Sequence, residues 1–224
     1  MLYALGDPLS FVLLVASFLI AVTLHGWVQC VVADRAGDRR PRLEGRLRPD
    51  PRRHVDPFGA VSALISGLGW ARPVDIPPRG RRAAVLAVTL SGSAANLVVG
   101  LVCLVVFRVL AGAGLPAVSA TLLQHGTGGG AFELRVTLLF GLMNVYIGLL
   151  SLVPLPPLDG GRLLFALAPR SSGWQKAEYH LVEQNIGVAV VLVLLLLPLG
   201  GPQALLPTVL DLIASPLVRL VTGG

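Results

Sequence analysis

Long apolar runs separated by polar intervals dominate the chain. The first run, 9–32, contains only His25 and Gln29 as strongly polar residues, and two further long runs cover 83–110 and 132–153. A helix needs about 20 mostly apolar residues to cross the hydrocarbon core of a bilayer. Each of these three runs is therefore predicted to be a transmembrane helix.

The C-terminal third is apolar but less continuous. Residues 154–161 form a proline-rich element, Pro-Leu-Pro-Pro-Leu-Asp-Gly-Gly, which cannot sustain helical hydrogen bonding. Residues 186–199 predict a short fourth span or half-span. The last run, 204–221, predicts an interfacial or tilted segment because it is interrupted by Pro207, Asp211 and Pro216.

The longest polar interval, 34–82, is rich in arginine and proline. Its middle, 58–70, is apolar again, but about 13 residues are too few to cross a bilayer as a helix. This segment predicts a re-entrant or hairpin-like loop that dips back toward the first span. A partly buried cytoplasmic loop is the alternative interpretation.

Composition supports a single membrane domain over 1–224. The chain is 54% hydrophobic and 13% charged, whereas soluble domains average roughly 25% charged residues. The predicted fold class is an all-α polytopic membrane protein whose first partner is the lipid bilayer. Cys30 and Cys103 both lie inside apolar runs, which predicts buried thiols and not a disulfide framework.

The positive charge is concentrated in one interval. Of 18 Lys and Arg residues, 12 lie between Asp34 and Arg82. By the positive-inside rule this loop is predicted to be cytoplasmic, which places the N-terminus outside. An anionic membrane surface is a simpler partner for such a block than nucleic acid, and no nucleic-acid partner is expected.

Candidate chemistry begins at His25, near the end of the first run. A zinc protease of the H-E-x-x-H type would carry a glutamate at Gly26 and a second histidine at Gln29. A lone histidine in a helix is more often a packed polar residue than a ligand. Asp159, which follows the prolines, is either a carboxylate at membrane depth, and thus a candidate site residue, or a helix N-cap just past the membrane.

Several motifs in order resemble the site-2 protease family of intramembrane zinc metalloproteases, in its compact bacterial branch. The resemblance covers about residues 15–165. It is carried by the segments Ala36-Gly37-Asp38, Gly45-Arg46-Leu47, His54-Val55-Asp56-Pro57, Gly69-Trp70-Ala71-Arg72-Pro73-Val74, Ser91-Gly92-Ser93-Ala94-Ala95-Asn96 and Val153-Pro154-Leu155-Pro156-Pro157-Leu158-Asp159-Gly160. In the fifth segment, Ser93 replaces the proline of the family pattern.

The resemblance implies a role for each matching position. His25 stands at the first zinc-ligand position and Asp159 at the third, while Gln29 replaces the second histidine and Gly26 replaces the catalytic glutamate. The family asparagine near the active site is matched by Asn96, and the family's loop histidine by His54. Thus the departures fall on the chemistry, while the scaffold motifs persist.

These departures predict a centre with no zinc or weakly bound zinc and with no intact catalytic residues. Gln29 would instead hydrogen-bond His25 or Asp159, and His54 could act as a substitute ligand if its loop folded back. Cavity or partner-binding residues are predicted to be Gln29, His54, Asn96 and Asp159.

The leading functional prediction is a non-hydrolytic protein, a pseudoprotease, that binds or scaffolds a transmembrane segment of a partner in the inner membrane of a bacterium. The first alternative is an active intramembrane zinc metalloprotease with an altered ligand set. A small membrane transporter component built around His25, Gln29 and Asp159 is the second, although the chain has no evident internal repeat to support it.

Overall fold

The computed structural model describes residues 1–75, 82–112, 119–169, 171–198 and 203–223. Its elements are helical throughout these ranges, apart from one isolated antiparallel bridge between Val55 and Ala71. The long helices are α1 (Pro8–Arg35), α5 (Arg82–Ala111), α7 (Phe132–Ser151) and α11 (Leu205–Thr222). The shorter ones are α2 (Arg40–Leu43), α3 (Pro51–His54), α4 (Pro57–Ser66), α6 (Leu122–His125), α8 (Asp159–Leu167), α9 (Ser172–Glu178) and α10 (Ile186–Leu196).

The four long helices are each long and apolar enough to cross a membrane, judged by length and composition. Helices α9 and α10, joined through a π-helical turn at Tyr179–Glu183, form a pair bent by 67° that also passes this test together. The predicted all-α polytopic membrane fold is confirmed. Of residues 204–221, expected to be interfacial or tilted, Ala204 is the N-cap of α11 and the rest lie within this helix of 18 residues, which contains Pro216.

The core lies between α1, α5 and α7, which pack on one another more extensively than any other elements. Close approach of α5 to α7 depends on glycine, because a Cβ added at Gly100 would lie 2.8 Å from the main-chain oxygen of Gly141. Small residues at helix interfaces allow this kind of contact within membranes. Leu104, Leu142 and Tyr146 are completely buried in the resulting core.

The apolar segment after the first span folds into a hairpin-like loop around α4. Asp56 caps this helix through a 2.9 Å hydrogen bond from the Gly59 amide, and the helix ends at Gly67, whose φ of +81° favours glycine. The returning chain pairs with the start of the loop, where the amide of Arg72 donates to the carbonyl of His54 at 2.7 Å. This closure brings His54 and Trp70 back toward α1.

Candidate functional site

Two polar side chains of α1 and one from the start of α8 meet in the core. His25 and Gln29 are four residues apart on α1, so they share one face of the helix. Asp159 lies in the first turn of α8, which begins after the prolines that follow α7. All three side chains are buried, with residue exposures of 2%, 2% and 8%.

The carboxylate of Asp159 joins the two α1 residues. His25 Nε2 lies 2.6 Å from Asp159 Oδ2, and Gln29 Nε2 donates to the same oxygen at 2.8 Å. Gln29 Nε2 also donates to the main-chain oxygen of Thr89 at 3.2 Å. A carboxylate only accepts, so a neutral His25 carries its proton on Nε2 in this arrangement. The network ties α1 to both α5 and α8.

Asp159 is neither a helix N-cap nor an ion-pair partner of the nearby arginine. Leu158 occupies the N-cap position of α8, and Asp159 is already helical. The guanidinium of Arg162 instead donates to the carbonyl of Val74 and, at 3.2 Å, to Asp75. Hence, within the described ranges, Asp159 pairs with His25 and Gln29 of α1.

Helix α5 approaches this network through its small-residue segment. A Cβ added at Gly92 would lie 2.6 Å from His25 Nε2, so this position accommodates the imidazole only as glycine. One turn further along α5, Asn96 Nδ2 donates to the carbonyl of Ala21 at 3.3 Å. Since Ala21 is one turn before His25 on α1, Asn96 fixes the two helices together beside the network without contacting Asp159 in this structure.

His54 lies against Gly26, which follows His25 and points about 100° around α1 from it. A Cβ added at Gly26 would lie 2.7 Å from His54 Nδ1. The imidazole is completely buried, and its Nε2 is 3.1 Å from the carbonyl of Arg48. Burial lowers the pKa of His54, which favours the neutral ring. With the Nε2 proton directed at Arg48, Nδ1 is left as an acceptor, and it has no partner among the described residues.

A small cavity adjoins the network, with about 10 Å³ of space for the centre of a water molecule, close to the minimum that one water needs. The wall includes Trp70, Ser151 and Pro157 in addition to the three network residues. Trp70 is buried, and its indole Nε1 has no hydrogen-bond partner among the described residues. Sequence reasoning placed Trp70 in a motif but assigned it no position at the site.

Arg46 is a second residue whose role the sequence did not indicate. Its buried guanidinium donates to the carbonyl of Pro73 at 3.0 Å and to that of Arg72 at 2.9 Å. These bonds hold the extended segment that follows Trp70 against the arginine-rich loop. The only available signal was the Gly45-Arg46-Leu47 motif, which does not reveal what the arginine contacts.

Comparison with known proteins identifies the family of this chain. The chain is 34% identical over 201 residues to a protein of Bacillus subtilis (strain 168) named "Putative zinc metalloprotease YwhC", and the match covers 87% of this chain and 85% of that relative. The chain belongs to the site-2 protease family. No family model matches it, and no solved structure matches it.

Membership of this family implies zinc, and the residues present do not fit a catalytic zinc centre. Such a centre takes three protein ligands and leaves one position for water. Within the described ranges, no group of three or more His, Cys, Asp or Glu side chains is arranged to hold a metal ion. His54 contacts Gly26 and does not complete a set with His25 and Asp159. The amide oxygen of Gln29 is a neutral, weak replacement for an imidazole.

Proposed function

We propose that this site-2 protease family member is non-hydrolytic and acts by holding a membrane-spanning segment of a partner protein. The observation that carries the proposal is the chemistry at two positions of α1, where Gly26 supplies no base and Gln29 supplies an amide. The two residues that retain ligand chemistry, His25 and Asp159, hydrogen-bond each other at 2.6 Å.

The expected loss of catalysis is large. Peptide hydrolysis at zinc needs a bound water and a base that takes its proton. A positioned general base contributes typically about 100- to 10,000-fold in rate, and glycine at position 26 removes that contribution. The weaker donor at Gln29 lowers zinc affinity as well, so the two replacements act on different requirements of the same reaction.

The binding role is supported by the features that persist around the altered centre. The family's loop, glycine and proline motifs still fold around a cavity that His25, Trp70 and Asp159 border. Buried polar groups without partners, such as the indole N–H of Trp70, are suited to hydrogen-bond a carbonyl of an unwound helix. We therefore propose a transmembrane protein as the partner.

A metal analysis tests the non-hydrolytic assignment. Purified wild-type protein, prepared without chelators, should contain well under one zinc per chain, whereas Gln29→His should raise the zinc content by restoring a third strong ligand. The double variant Gln29→His, Asp159→Asn is the matched control and should lose that zinc. Stoichiometric zinc in the wild type would overturn the proposal.

A crosslinking experiment tests the binding role. A photoreactive amino acid at Ala71, in the cavity wall, should give a discrete adduct with a single-span membrane protein in native membranes. The same group at Val109, which is 74% exposed on α5, is the control for contact with any neighbour in the bilayer. Equal adducts from both positions, or none from Ala71, would contradict binding of a partner beside the network.

Orientation in the bacterial inner membrane is part of the same proposal. The arginine-rich loop is proposed to be cytoplasmic and the N-terminus external, because cytoplasmic loops carry the excess of Lys and Arg. A cysteine at Arg48, which is exposed, should react with an impermeant thiol reagent only after sealed, outside-out vesicles are opened. Labelling of the intact vesicles would reverse the orientation.

An active metalloprotease with an altered ligand set is the second candidate, favoured by the printed name of the Bacillus subtilis relative. It predicts cleavage of a single-span substrate that disappears in Asp159→Asn. The non-hydrolytic proposal predicts no cleavage by the wild type or by the Asp159→Asn variant. A comparison of the two in reconstituted vesicles separates the candidates directly.

A further inference from the structure

One helical segment of the C-terminal third adds no buried residue to the core. It comprises α9 and the π-helical turn that follows, and none of its residues is buried. Trp174, which is 36% exposed, meets Phe165 of α8 edge to face with ring centroids 5.9 Å apart, and part of the indole stays uncovered. This segment, Ser172–Glu183, is called the arm below.

A helix as short as the arm needs an apolar surface to pack against. The arm consists of seven residues in α9 and five in the π-helical turn. Isolated helices shorter than about 12–15 residues are marginal in water, and most helical stability in proteins comes from packing of an apolar face. Because the protein buries no residue of the arm, this packing points to a surface outside the chain.

Exposed apolar side chains recur at helical intervals on both sides of the bend between the arm and α10. Tyr179 and Val182, on the arm, are 54% and 38% exposed, while Ile186 and Val193, on α10, are both 42% exposed. Residues three, four or seven positions apart share one face of a helix. Helix α10 contains no polar side chain, so its exposed face suits the hydrocarbon of a bilayer. The arm carries the same kind of surface beyond that helix.

The polar residues of the arm distinguish it from a membrane-crossing helix. Gln175, Lys176, Glu178 and Glu183 are all exposed, and charged side chains are costly at the centre of a bilayer. Tryptophan and tyrosine, both present in the arm, are enriched where hydrocarbon meets water. This composition fits the interface of a membrane better than it fits either the hydrocarbon core or bulk water.

The bend gives the arm a direction that suits the interface. The arm and α10 make an angle of 67°. Since membrane-crossing helices tilt by about 20° on average, an arm at this angle to α10 runs closer to the membrane plane than to the bilayer normal. Amphipathic helices of the interface lie in that plane, with their apolar face at the boundary between headgroups and acyl chains.

We propose that the arm is an interfacial anchor, which lies on the surface of the lipid bilayer with Trp174, Tyr179 and Val182 in contact with lipid. Its partner is the bilayer itself, on the side of the arginine-rich loop. The side follows from α8, the helix before the arm, where Arg162 hydrogen-bonds Asp75 of that loop at 3.2 Å.

An anchor at this place limits how deep the polar network lies. Helix α8 begins with Asp159 and continues toward the arm through Leu164 and Leu167, which are 39% and 42% exposed. At 1.5 Å per residue, these leucines lie about 8–12 Å along the helix from Asp159. Half of the hydrocarbon core is about 15 Å thick. Even an α8 that ran straight inward from the interface would therefore not carry Asp159 to the bilayer midplane.

Trp174 itself reports where the arm lies. Purified full-length protein is placed in lipid nanodiscs as single copies, and its fluorescence is quenched with phospholipids brominated either near the headgroup end or near the far end of the acyl chains. Subtraction of the Trp174→Phe signal removes the contributions of Trp27 and Trp70. Bromines near the headgroup end should quench Trp174 several-fold more strongly than deep bromines, and iodide in the water should quench it weakly.

Two neighbouring positions on the arm give a matched comparison. Val182 belongs to the apolar face and Glu183 is polar, yet both are exposed to solvent in the isolated chain. In a background with Cys30→Ala and Cys103→Ala, the Glu183→Cys variant in nanodiscs should react several-fold faster with an impermeant maleimide than the Val182→Cys variant. Equal rates would contradict an anchor that places one face in lipid.

Each remaining outcome of the quenching experiment is equally decisive. Strong quenching by iodide with none by either lipid would place the arm in water and overturn the proposal. Stronger quenching by deep bromines would make the arm and α10 a broken span. Protection from iodide without quenching by lipid would mean that protein covers the arm, which also overturns the proposal. If Trp174→Phe does not fold, the cysteine pair decides.

The anchor and the proposed function fail separately. Stoichiometric zinc in the wild type would remove the non-hydrolytic assignment and leave the position of the arm unchanged. An arm found in water would remove the anchor and would not alter the chemistry of Gly26 and Gln29.

Discussion

Two aspartates lie among the helices of the core, and their surroundings differ. Asp159 accepts from His25 and Gln29 through a single oxygen, Oδ2, as far as the described residues show. Asp211, in α11, uses both oxygens: Oδ1 accepts from the Tyr146 hydroxyl at 2.5 Å and from the Ala120 amide at 2.8 Å, while Oδ2 accepts from the Ser119 hydroxyl at 2.8 Å.

The surroundings of the two carboxylates match this difference. Beside Asp159 lies a cavity lined by His25 and Trp70 among others. A ring nitrogen of each, His25 Nδ1 and Trp70 Nε1, has no hydrogen-bond partner among the described residues. Asp211 instead connects α11, α7 and the segment before α6 with three donors. Buried polar groups normally have partners, so an incompletely paired group calls for a reason other than stability. Asp211 connects three parts of the fold through its hydrogen bonds. Asp159 belongs to a less completely paired network, beside a cavity close to the size of one water.

The largest effect is expected for Asp211→Ala. Three partly buried donors would lose their acceptor, which should lower the free energy of unfolding by about 2–4 kcal/mol. Chemical unfolding in detergent, followed by tryptophan fluorescence, measures it. Asp75→Ala, at an exposed carboxylate, is the control and should stay close to the wild type. If Asp211→Ala lowered the free energy of unfolding no more than Asp75→Ala does, the hydrogen bonds of Asp211 would not stabilise the fold.

Tyr146→Phe should have the next largest effect. It removes one hydrogen bond to a charged acceptor and keeps the buried ring, so the expected loss is about 1.5–3 kcal/mol. Tyr179→Phe, on an exposed tyrosine, serves as the control for the same chemical change. In the Asp211→Ala background the Tyr146→Phe substitution should cost much less, and an unchanged cost would contradict the direct bond.

The contrast between these two sites also shows what sequence reasoning could reach. His25 and Asp159 were predicted together because each belongs to a family motif with a known place in one centre. The sequence shows Asp211 only as an interruption of the apolar run 204–221. Its partners, Tyr146 and Ser119, lie 65 and 92 residues earlier, with no motif to connect them. Three of the four long helices were predictable from the length of their apolar runs. Helix α11 was not, because Pro207, Asp211 and Pro216 interrupt its run and favoured an interfacial or tilted segment.

The packing of the hairpin-like loop against α1 could not be predicted from the sequence either. The sequence indicates at Gly26 only the loss of a base, because a pattern shows which residue is missing and not what packs against it. The space depends on how the hairpin-like loop folds against α1, and that geometry places His54 Nδ1 where a side chain at position 26 would begin. Likewise, Gln29 was expected to hydrogen-bond His25 or Asp159, but its second bond, to the carbonyl of Thr89, depends on the packing of α5.

A small effect is expected for Asp159→Asn. The amide oxygen of asparagine can accept from both His25 and Gln29 in place of Oδ2, so the loss in unfolding free energy should stay below about 1 kcal/mol. Asp159→Leu, which offers no acceptor, should cost clearly more. If Asp159→Asn were as destabilising as Asp211→Ala, the carboxylate at α8 would stabilise the fold as much as Asp211 does, and the proposed difference between the two sites would be wrong.

A third carboxylate, Asp7, extends the comparison to the boundary of α1 and should show the smallest effect, visible mainly in acid. Its pKa falls from 3.8 to about 2 because Arg135 and then Ser10 hydrogen-bond its charged form. A group with a lowered folded pKa stabilises fully above its unfolded pKa, near 3.8, and that stabilisation is lost as the pH falls through about 2. The wild-type unfolding midpoint should therefore decline across this window.

Asp7→Asn keeps an acceptor for the helix cap but removes the titrating group, so its midpoint should decline less and meet the wild-type value near pH 2. Glu133→Gln, at an exposed carboxylate in the first turn of α7, should leave the wild-type decline in place. Parallel curves for wild type and Asp7→Asn would show that the contact with Arg135 contributes no pH-dependent stability, and that the pairing of Asp7 resembles an ordinary surface ion pair.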